Sequence, residues 1–129
     1  MKNRNLWLSM LLVGMSLGTA WAIRGQFGHE QGAAWAGAIG CLSILLVAKR
    51  GDWFAKAFSA TLAGAVGWGI GGMMSYGLVV GYGRGSDFGN VYYGLLMLFV
   101  IGGLYGFIGG GLFGLVLGNS KKNEVSWSK

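Results

Sequence analysis

The sequence predicts an all-α membrane protein with four transmembrane helices, and three observations lead to that fold class. Charged residues make up only 11% of the 129 residues, whereas about a quarter is usual in a soluble domain. The hydrophobic share is 53% and the mean hydropathy is +0.54. The few charges form clusters that separate long uncharged runs. Such runs suit lipid, where helices satisfy every backbone polar group.

Four uncharged runs give the predicted spans in chain order. Each run is long enough for a hydrocarbon core of about 30 Å, which needs roughly 20 helical residues. None shows the alternation of a lipid-exposed strand, which excludes a strand barrel. The first run also contains Ala20-Trp21-Ala22, so signal-peptide cleavage is an alternative to a retained span. We predict one domain with spans at 6–23, 31–48, 58–80 and 91–118, and a polar tail at 119–129.

Basic residues predict the orientation of these spans. Eight of the ten lie before span one, between spans two and three, or after span four. Only Arg24 and Arg84 fall in the other two connections. Because cytoplasmic loops are enriched in Lys and Arg, both termini are expected in the cytoplasm, and the membrane is expected to be a bacterial inner membrane. The net charge of +6 could otherwise indicate a nucleic-acid partner, but this distribution of charge excludes one.

The placement of glycine predicts how the helices pack. There are 27 glycines and no proline. In three spans small residues recur every four positions, which allows close backbone approach of the small-xxx-small type. Both packing within one bundle and packing between copies of the chain fit this glycine-zipper pattern. The predicted packing residues are Gly28, Gly32, Ala36 and Gly40, then Gly67, Gly71 and Ser75, and finally Gly102, Gly106, Gly110, Gly114 and Gly118.

Tryptophans and an internal similarity add two further expectations. Trp7 and Trp21 are placed as interfacial anchors near the ends of span one, whereas Trp35 and Trp68, well inside their spans, are expected to line a core or cavity. The strings RGQFG at 24–28 and RGSDFG at 84–89 follow spans one and three. A duplication would give two parallel two-helix hairpins. Chance similarity of short glycine-rich strings is the competing explanation.

Charged side chains on the predicted outer side occur only in the two connections that follow spans one and three. Such groups are costly at a membrane boundary unless they are paired or face water, so we take them as the candidate solute pathway. The two arginines could meet beside helix N-termini and attract an anion, or each could pair with an acid and close the bundle. The pathway residues are Arg24, His29, Glu30, Arg84 and Asp87.

Two functions fit this pattern. The first is a small oligomeric channel or transporter for a small solute, of which an anion is one candidate, because a single four-helix subunit encloses little space. The alternative is a non-catalytic subunit that packs into a larger membrane complex. Catalytic motifs are absent, and His29 and Cys41 lie at different depths, so no enzyme activity, cofactor or metal is expected. The expected partners are the lipid bilayer and either further copies or a larger complex.

Overall fold

The structure, a computed structural model, describes residues 6–73 and 76–119, apart from the side chains of residues 76–78. These ranges are almost entirely helical and contain no strand. A 3-10 turn at Arg24–Gln26 links the first two helices. The prediction of an all-helical fold is therefore confirmed for this part of the chain. The helices are α1 Leu6–Ile23, α2 His29–Ala48, α3 Gly51–Phe54, α4 Ala57–Gly72, α5 Tyr76–Gly83 and α6 Phe88–Gly118.

Three helices in the described ranges are long and apolar enough to cross a membrane: α1 with its following 3-10 turn, α2 and α6. That result fits an integral membrane protein. The predicted third span, 58–80, is instead divided between α4 and α5, and its residues 74 and 75 lie outside the described ranges. With 16 residues, α4 rises only about 24 Å. The count of four spans and the side of each terminus stay predictions.

The other three predicted spans agree with the helices to within three residues. Helix α1 ends at residue 23 as predicted and begins at the first described residue, whereas α2 and α6 begin two and three residues earlier than predicted. Helix α6 begins early because the Asp87 carboxylate accepts a hydrogen bond from the Asn90 N–H at 3.0 Å. Such an N-cap supplies a partner for a backbone donor that has none within the helix.

Helices α2 and α4 form the central pair, and a glycine on each accommodates a larger residue of the other. A Cβ added at Gly37 would lie 2.5 Å from Cβ of Trp68, and one added at Gly64 would overlap Sγ of Cys41. The fully buried Leu45 continues the same contact along α2. Because lipid is as apolar as these side chains, close van der Waals contact is the main force that holds such helices together.

Helix α6 packs on α4 through three buried residues, Tyr105, Gly109 and Phe113. The two backbones come closest where Gly67 of α4 faces Gly109. A Cβ added at Gly67 would lie 2.8 Å from Cα of Gly109 and 2.9 Å from the carbonyl oxygen of Ile108. The pair of glycines therefore sets the distance between α4 and α6.

The first half of α6 lies beside α5 and not beside α4. A Cβ added at Gly94 would lie 2.8 Å from Cα of Gly83, at the end of α5. Tyr105 lies against Gly71, near the end of α4. With 31 residues, α6 is about 46 Å long. Its residues 88–104, about 25 Å of helix, therefore extend beyond the end of α4, and the eight-residue α5 lies beside part of this length.

The end of α6 is held by Lys56 at the start of α4. Its Nζ donates a hydrogen bond to the Leu117 carbonyl oxygen at 3.2 Å and a second to the Asn119 carbonyl oxygen. The last carbonyls of a helix have no partner within the helix, so a lysine here satisfies groups that would otherwise need water.

Replacing Lys56 with methionine is expected to fray this end of α6. The loss of a hydrogen bond of about 1 kcal/mol should raise amide exchange several-fold near Leu117, as measured by hydrogen–deuterium exchange in detergent micelles. Lys49→Met, at an exposed lysine after α2, is the control and should leave exchange at this end unchanged. Equal exchange in the Lys56 variant and the wild type would contradict this capping role.

An exposed ion pair lies at the short helix α3. Nη2 of Arg50 lies 2.6 Å from Oδ2 of Asp52, and the guanidinium also covers the Trp53 ring at 4.6 Å. The hydrogen bond from Arg50 lowers the pKa of Asp52. Because both side chains are exposed, the pair contributes little to stability.

Candidate functional site

The first connection, residues 24–28, turns tightly between α1 and α2. The Phe27 N–H donates to the Arg24 carbonyl oxygen at 3.0 Å and closes the 3-10 turn. Gly28 follows with φ of 80°, a left-handed conformation that favours glycine. Helix α2 then begins at His29 without a side-chain cap. These turns reverse the direction of the chain, so the start of α2 lies beside the end of α1.

Gly32, in the first turn of α2, allows the connection to lie directly on the helix. A Cβ added at Gly32 would overlap the carbonyl oxygen of Arg24 and would lie 2.5 Å from its Cγ. Any larger residue would therefore push the Arg24 turn away from α2. Gly25, within the same turn, has open space around its Cβ position. The two glycines of this connection thus have different structural roles.

The Arg24 guanidinium lies between an aromatic ring and an imidazole. Its Cζ is 4.3 Å from the centroid of the Trp21 ring, within the range of a cation–π interaction. Its Nη1 is 3.4 Å from Nδ1 of His29, a contact in which Nδ1 of a neutral imidazole accepts. Arg24 is partly buried, whereas His29 and Glu30 are exposed. Arg24 is therefore the most enclosed charge among the predicted pathway residues.

Trp21 also belongs to an aromatic cluster, which we define as Trp21, Trp68 and Tyr105. The ring centroids lie 5.7, 5.8 and 5.4 Å apart, all edge-to-face, the arrangement that aromatic quadrupoles favour. The cluster joins α1, α4 and α6. Trp68 thus has the core position predicted for it, and Trp21 packs inward. The same prediction for Trp35 was wrong, because its side chain is 60% exposed on the face of α2 away from α4.

A groove runs between α1 and α6, and we call it the α1–α6 cleft. Its main part has a volume of about 520 Å³ and ends at the aromatic cluster. A narrower part of about 140 Å³ continues it toward Cys41 and Phe113. Both α1 and α6 contribute glycines to the walls of the cleft, and Leu17 lines the main part and the narrower part. The glycines of the cleft are Gly14 and Gly18 of α1, Gly102, Gly106 and Gly110 of α6, and Gly37 and Gly40 of α2.

The second connection, residues 84–87, lies apart from the first. The Arg84 N–H ends α5 by donating to the carbonyl oxygens of Val80 and Gly81, each at 3.2 Å. Asp87 caps α6. Gly94, level with the end of α5, lies 11 residues before Tyr105, which separates them by about 16 Å of helix. The two connections are therefore held at different heights of α6.

This separation concerns the first predicted arrangement, in which the two arginines meet. Arg24 contacts Trp21 and His29, whereas Asp87 contacts Asn90 of α6. The structure brings Arg24 and His29 together but does not bring the two arginines together. The reason is the division of the third span, which continues as α5 and carries the second connection along α6. The pathway role of all five residues stays a prediction.

The predicted glycine row on α6 is open along its length. Four residues advance an α-helix by about 40° more than one full turn, so a row at this spacing winds around the helix. Gly102 and Gly106 therefore line the α1–α6 cleft, whereas Gly114 and Gly118 line a separate groove beside Ile70 of α4. The packing role of the glycine row stays a prediction. No atom lies within 4 Å of a Cβ added at Gly102, Gly106, Gly110, Gly114 or Gly118.

The glycines of α2 and α4 behave differently from this row. A Cβ added at Gly40 would lie 3.1 Å from Leu17 of α1, and one added at Gly71 would lie 2.9 Å from Tyr105. The sequence reasoning missed other close contacts because four-residue spacing does not identify the face that packs. Gly109, Gly110 and Gly111 lie on three different faces of α6. Only the burial of Gly109 shows which of these faces packs. The missed packing glycines are Gly37, Gly64, Gly72, Gly94 and Gly109.

No protein-family model matches the sequence, and searches of curated proteins and of solved structures found no match. The two connections and the cleft are therefore the features from which a function can be inferred.

Proposed function

We propose that this chain is one subunit of a small oligomeric membrane channel or transporter, and that its solute is a small anion. The observation that carries the proposal is the position of Arg24. Its guanidinium lies at the end of α1, over Trp21 and beside His29. Charged groups near apolar helix ends are costly, and those that are kept commonly belong to ion and substrate pathways.

The backbone around Arg24 supports an anion as the solute. Helix α2 begins at His29 without a side-chain cap, so its first N–H groups and the positive end of its dipole face the same region as the guanidinium. Arginine is suited to this role because it stays charged at any physiological pH and presents five donors. In the proposed pathway Arg24 and His29 select the solute, and Arg84 with Asp87 forms a second, more distant charged position.

An oligomer is proposed because the spaces in the described part of one chain are open grooves on its side, apart from the narrower part of the cleft. A pathway along the membrane normal would then form between copies. The separate groove at Gly114 and Gly118 of α6 would allow the backbones of two copies to approach closely. No atom lies within 4 Å of a Cβ added at either glycine.

The alternative is a non-catalytic subunit that packs into a larger membrane complex. The same open grooves favour it, since they are surfaces that another protein could cover. Native mass spectrometry from a mild detergent separates the two functions. A homo-oligomer without other chains supports the channel or transporter, and co-purification of different chains in fixed ratio supports the alternative.

Removal of the Arg24 charge is expected to reduce anion flux about tenfold, as loss of one charge-assisted hydrogen bond in a pathway would do. The measurement is flux of chloride, fluoride, nitrate and formate into liposomes that contain the wild type or Arg24→Gln. We expect a smaller effect of Arg84→Gln, because this residue is exposed and distant from the first connection.

The control variant is Lys49→Gln, which removes one charge from the connection between α2 and α3 at the opposite end of α2. It should leave flux unchanged. If the wild type conducts none of these anions above empty liposomes, the anion transport proposed here is wrong. Equal flux through Arg24→Gln and the wild type would remove Arg24 from the pathway.

A further inference from the structure

The α1–α6 cleft is an apolar slot whose walls are largely backbone. Gly14, Leu17 and Gly18 of α1 form one wall, and Gly102 and Gly106 of α6 form the other. A Cβ added at any of these four glycines would meet no atom within 4 Å. The slot lies between α1 and α6, two of the helices that are long and apolar enough to cross a membrane. Whatever occupies it inside a membrane must be apolar over this length.

The size of the cleft limits what can enter it. An α-helix about 11 Å wide displaces roughly 500 Å³ in each turn of 5.4 Å. The main part of the cleft, about 520 Å³, has the volume of one such turn, so a helix from another chain would lie largely outside it. A linear hydrocarbon chain is narrower, and the 140 Å³ extension beyond Leu17 lengthens the slot in one direction. The shape therefore fits an acyl chain better than a helix.

A positive charge lies next to the aromatic residue at one end of this slot. Trp21 lines the cleft, and the Arg24 guanidinium covers the Trp21 ring at 4.3 Å. An arginine fork binds phosphate oxygens well, and its several donors allow it to do so while it also contacts His29. An apolar slot that ends at Trp21, with an arginine on that ring, is complementary to a molecule with an apolar tail and an anionic head.

We propose that the α1–α6 cleft binds one acyl chain of an acidic phospholipid, whose phosphate head group contacts Arg24. The lipid acts as a structural ligand that fills the gap between α1 and α6 below the aromatic cluster. This inference goes beyond the proposed transport and does not depend on it, because a retained lipid is detectable in a chain that moves no solute.

The test is native mass spectrometry of the full chain, purified in mild detergent and exposed to an equimolar mixture of phosphatidylglycerol and phosphatidylcholine with identical acyl chains. The wild type should retain phosphatidylglycerol about tenfold more strongly than phosphatidylcholine, because both lipids carry the phosphate but the choline cation of the second repels the Arg24 guanidinium. Arg24→Gln should bring this ratio close to one while a lipid is still retained.

A second pair of variants tests the cleft itself. Gly106→Leu places a side chain in the slot and should remove retention of both lipids. Gly103→Leu is its matched control: Gly103 is the neighbouring open position on α6, does not line the cleft, and should bind lipid as the wild type does. Thermal unfolding of each variant in the same detergent shows whether the fold is kept.

Three results would overturn the proposal. These are equal retention of the two lipids by the wild type, equal loss in the Gly106 and Gly103 variants, or displacement of the lipid by inorganic phosphate alone. The last result would show a simple anion site without a tail. None of these outcomes depends on flux measured in liposomes. Failure of transport and failure of lipid binding are therefore separate results.

Discussion

Replacing Gly67 with alanine is expected to lower the free energy of unfolding by about 2 kcal/mol. The new Cβ would lie 2.8 Å from Cα of Gly109 and 2.9 Å from the Ile108 carbonyl oxygen. Both are backbone atoms that cannot rotate away, so α4 and α6 must separate, at a cost of about 3 kcal/mol. The higher helix propensity of alanine returns about 1 kcal/mol. The measurement is denaturant unfolding of the purified chain in mild detergent.

Gly110→Ala is the matched control for this prediction. Gly110 also lies within a helix, and its Cβ position is open. The same chemical change should therefore leave stability unchanged or raise it by up to about 1 kcal/mol. A Gly67 variant as stable as the Gly110 variant would show that the two helices do not approach at Gly67. Gly114→Leu, in contrast, should disrupt assembly of copies if the groove at Gly114 and Gly118 forms the interface between them.

Replacing Gly32 with alanine is expected to displace the Arg24 turn from α2. The added Cβ would overlap the Arg24 carbonyl oxygen, so the turn must move and the stacking of Arg24 on Trp21 is lost with it. We expect a loss of about 2 kcal/mol in stability. Hydrogen–deuterium exchange should show faster exchange across residues 24–28, and Trp21 should change its fluorescence.

Gly25→Ala provides the control within the same connection. No atom lies within 4 Å of its Cβ position, so exchange and fluorescence should match the wild type. Anion flux gives an independent measurement of the Gly32 variant, which should lose flux as Arg24→Gln does. A Gly32 variant with normal exchange would mean that the first connection does not lie against α2.

The division of the third span shows what hydropathy alone misses. Residues 57–83 form one uncharged run, and a hydropathy average has no signal for a helix that ends inside it. The signal that was present is the string Gly69-Ile70-Gly71-Gly72, because each glycine costs about 1 kcal/mol of helix propensity relative to alanine. The Met73 N–H then points to the carbonyls of both Gly69 and Ile70, a tightened last turn. The end of α1 at Ile23, in contrast, lies directly before the charge of Arg24, which marks it in the sequence.

The site was predictable as a list of residues but not as an arrangement. Arg24 and His29 are close in sequence, so the short turn between them brings them together. Arg84 could be placed relative to Arg24 only by knowing which part of α6 packs on α4, and four-residue glycine spacing does not contain that information. Trp35 shows the same limit, because its depth in the span was predictable and its direction was not.

The length of α6 has a consequence for the membrane around the protein. A helix of about 46 Å exceeds a hydrocarbon thickness of about 30 Å, and to lie wholly within it would need a tilt near 50°, beyond the range of about 0–40° seen for membrane helices. Hydrophobic mismatch therefore acts on the half of α6 beside α5. Thickening the bilayer submerges the connection at Arg84, and thinning it leaves that connection in water. Arg24, at the end of the shorter α1, changes its depth much less, so lipid thickness acts on the two arginines unequally.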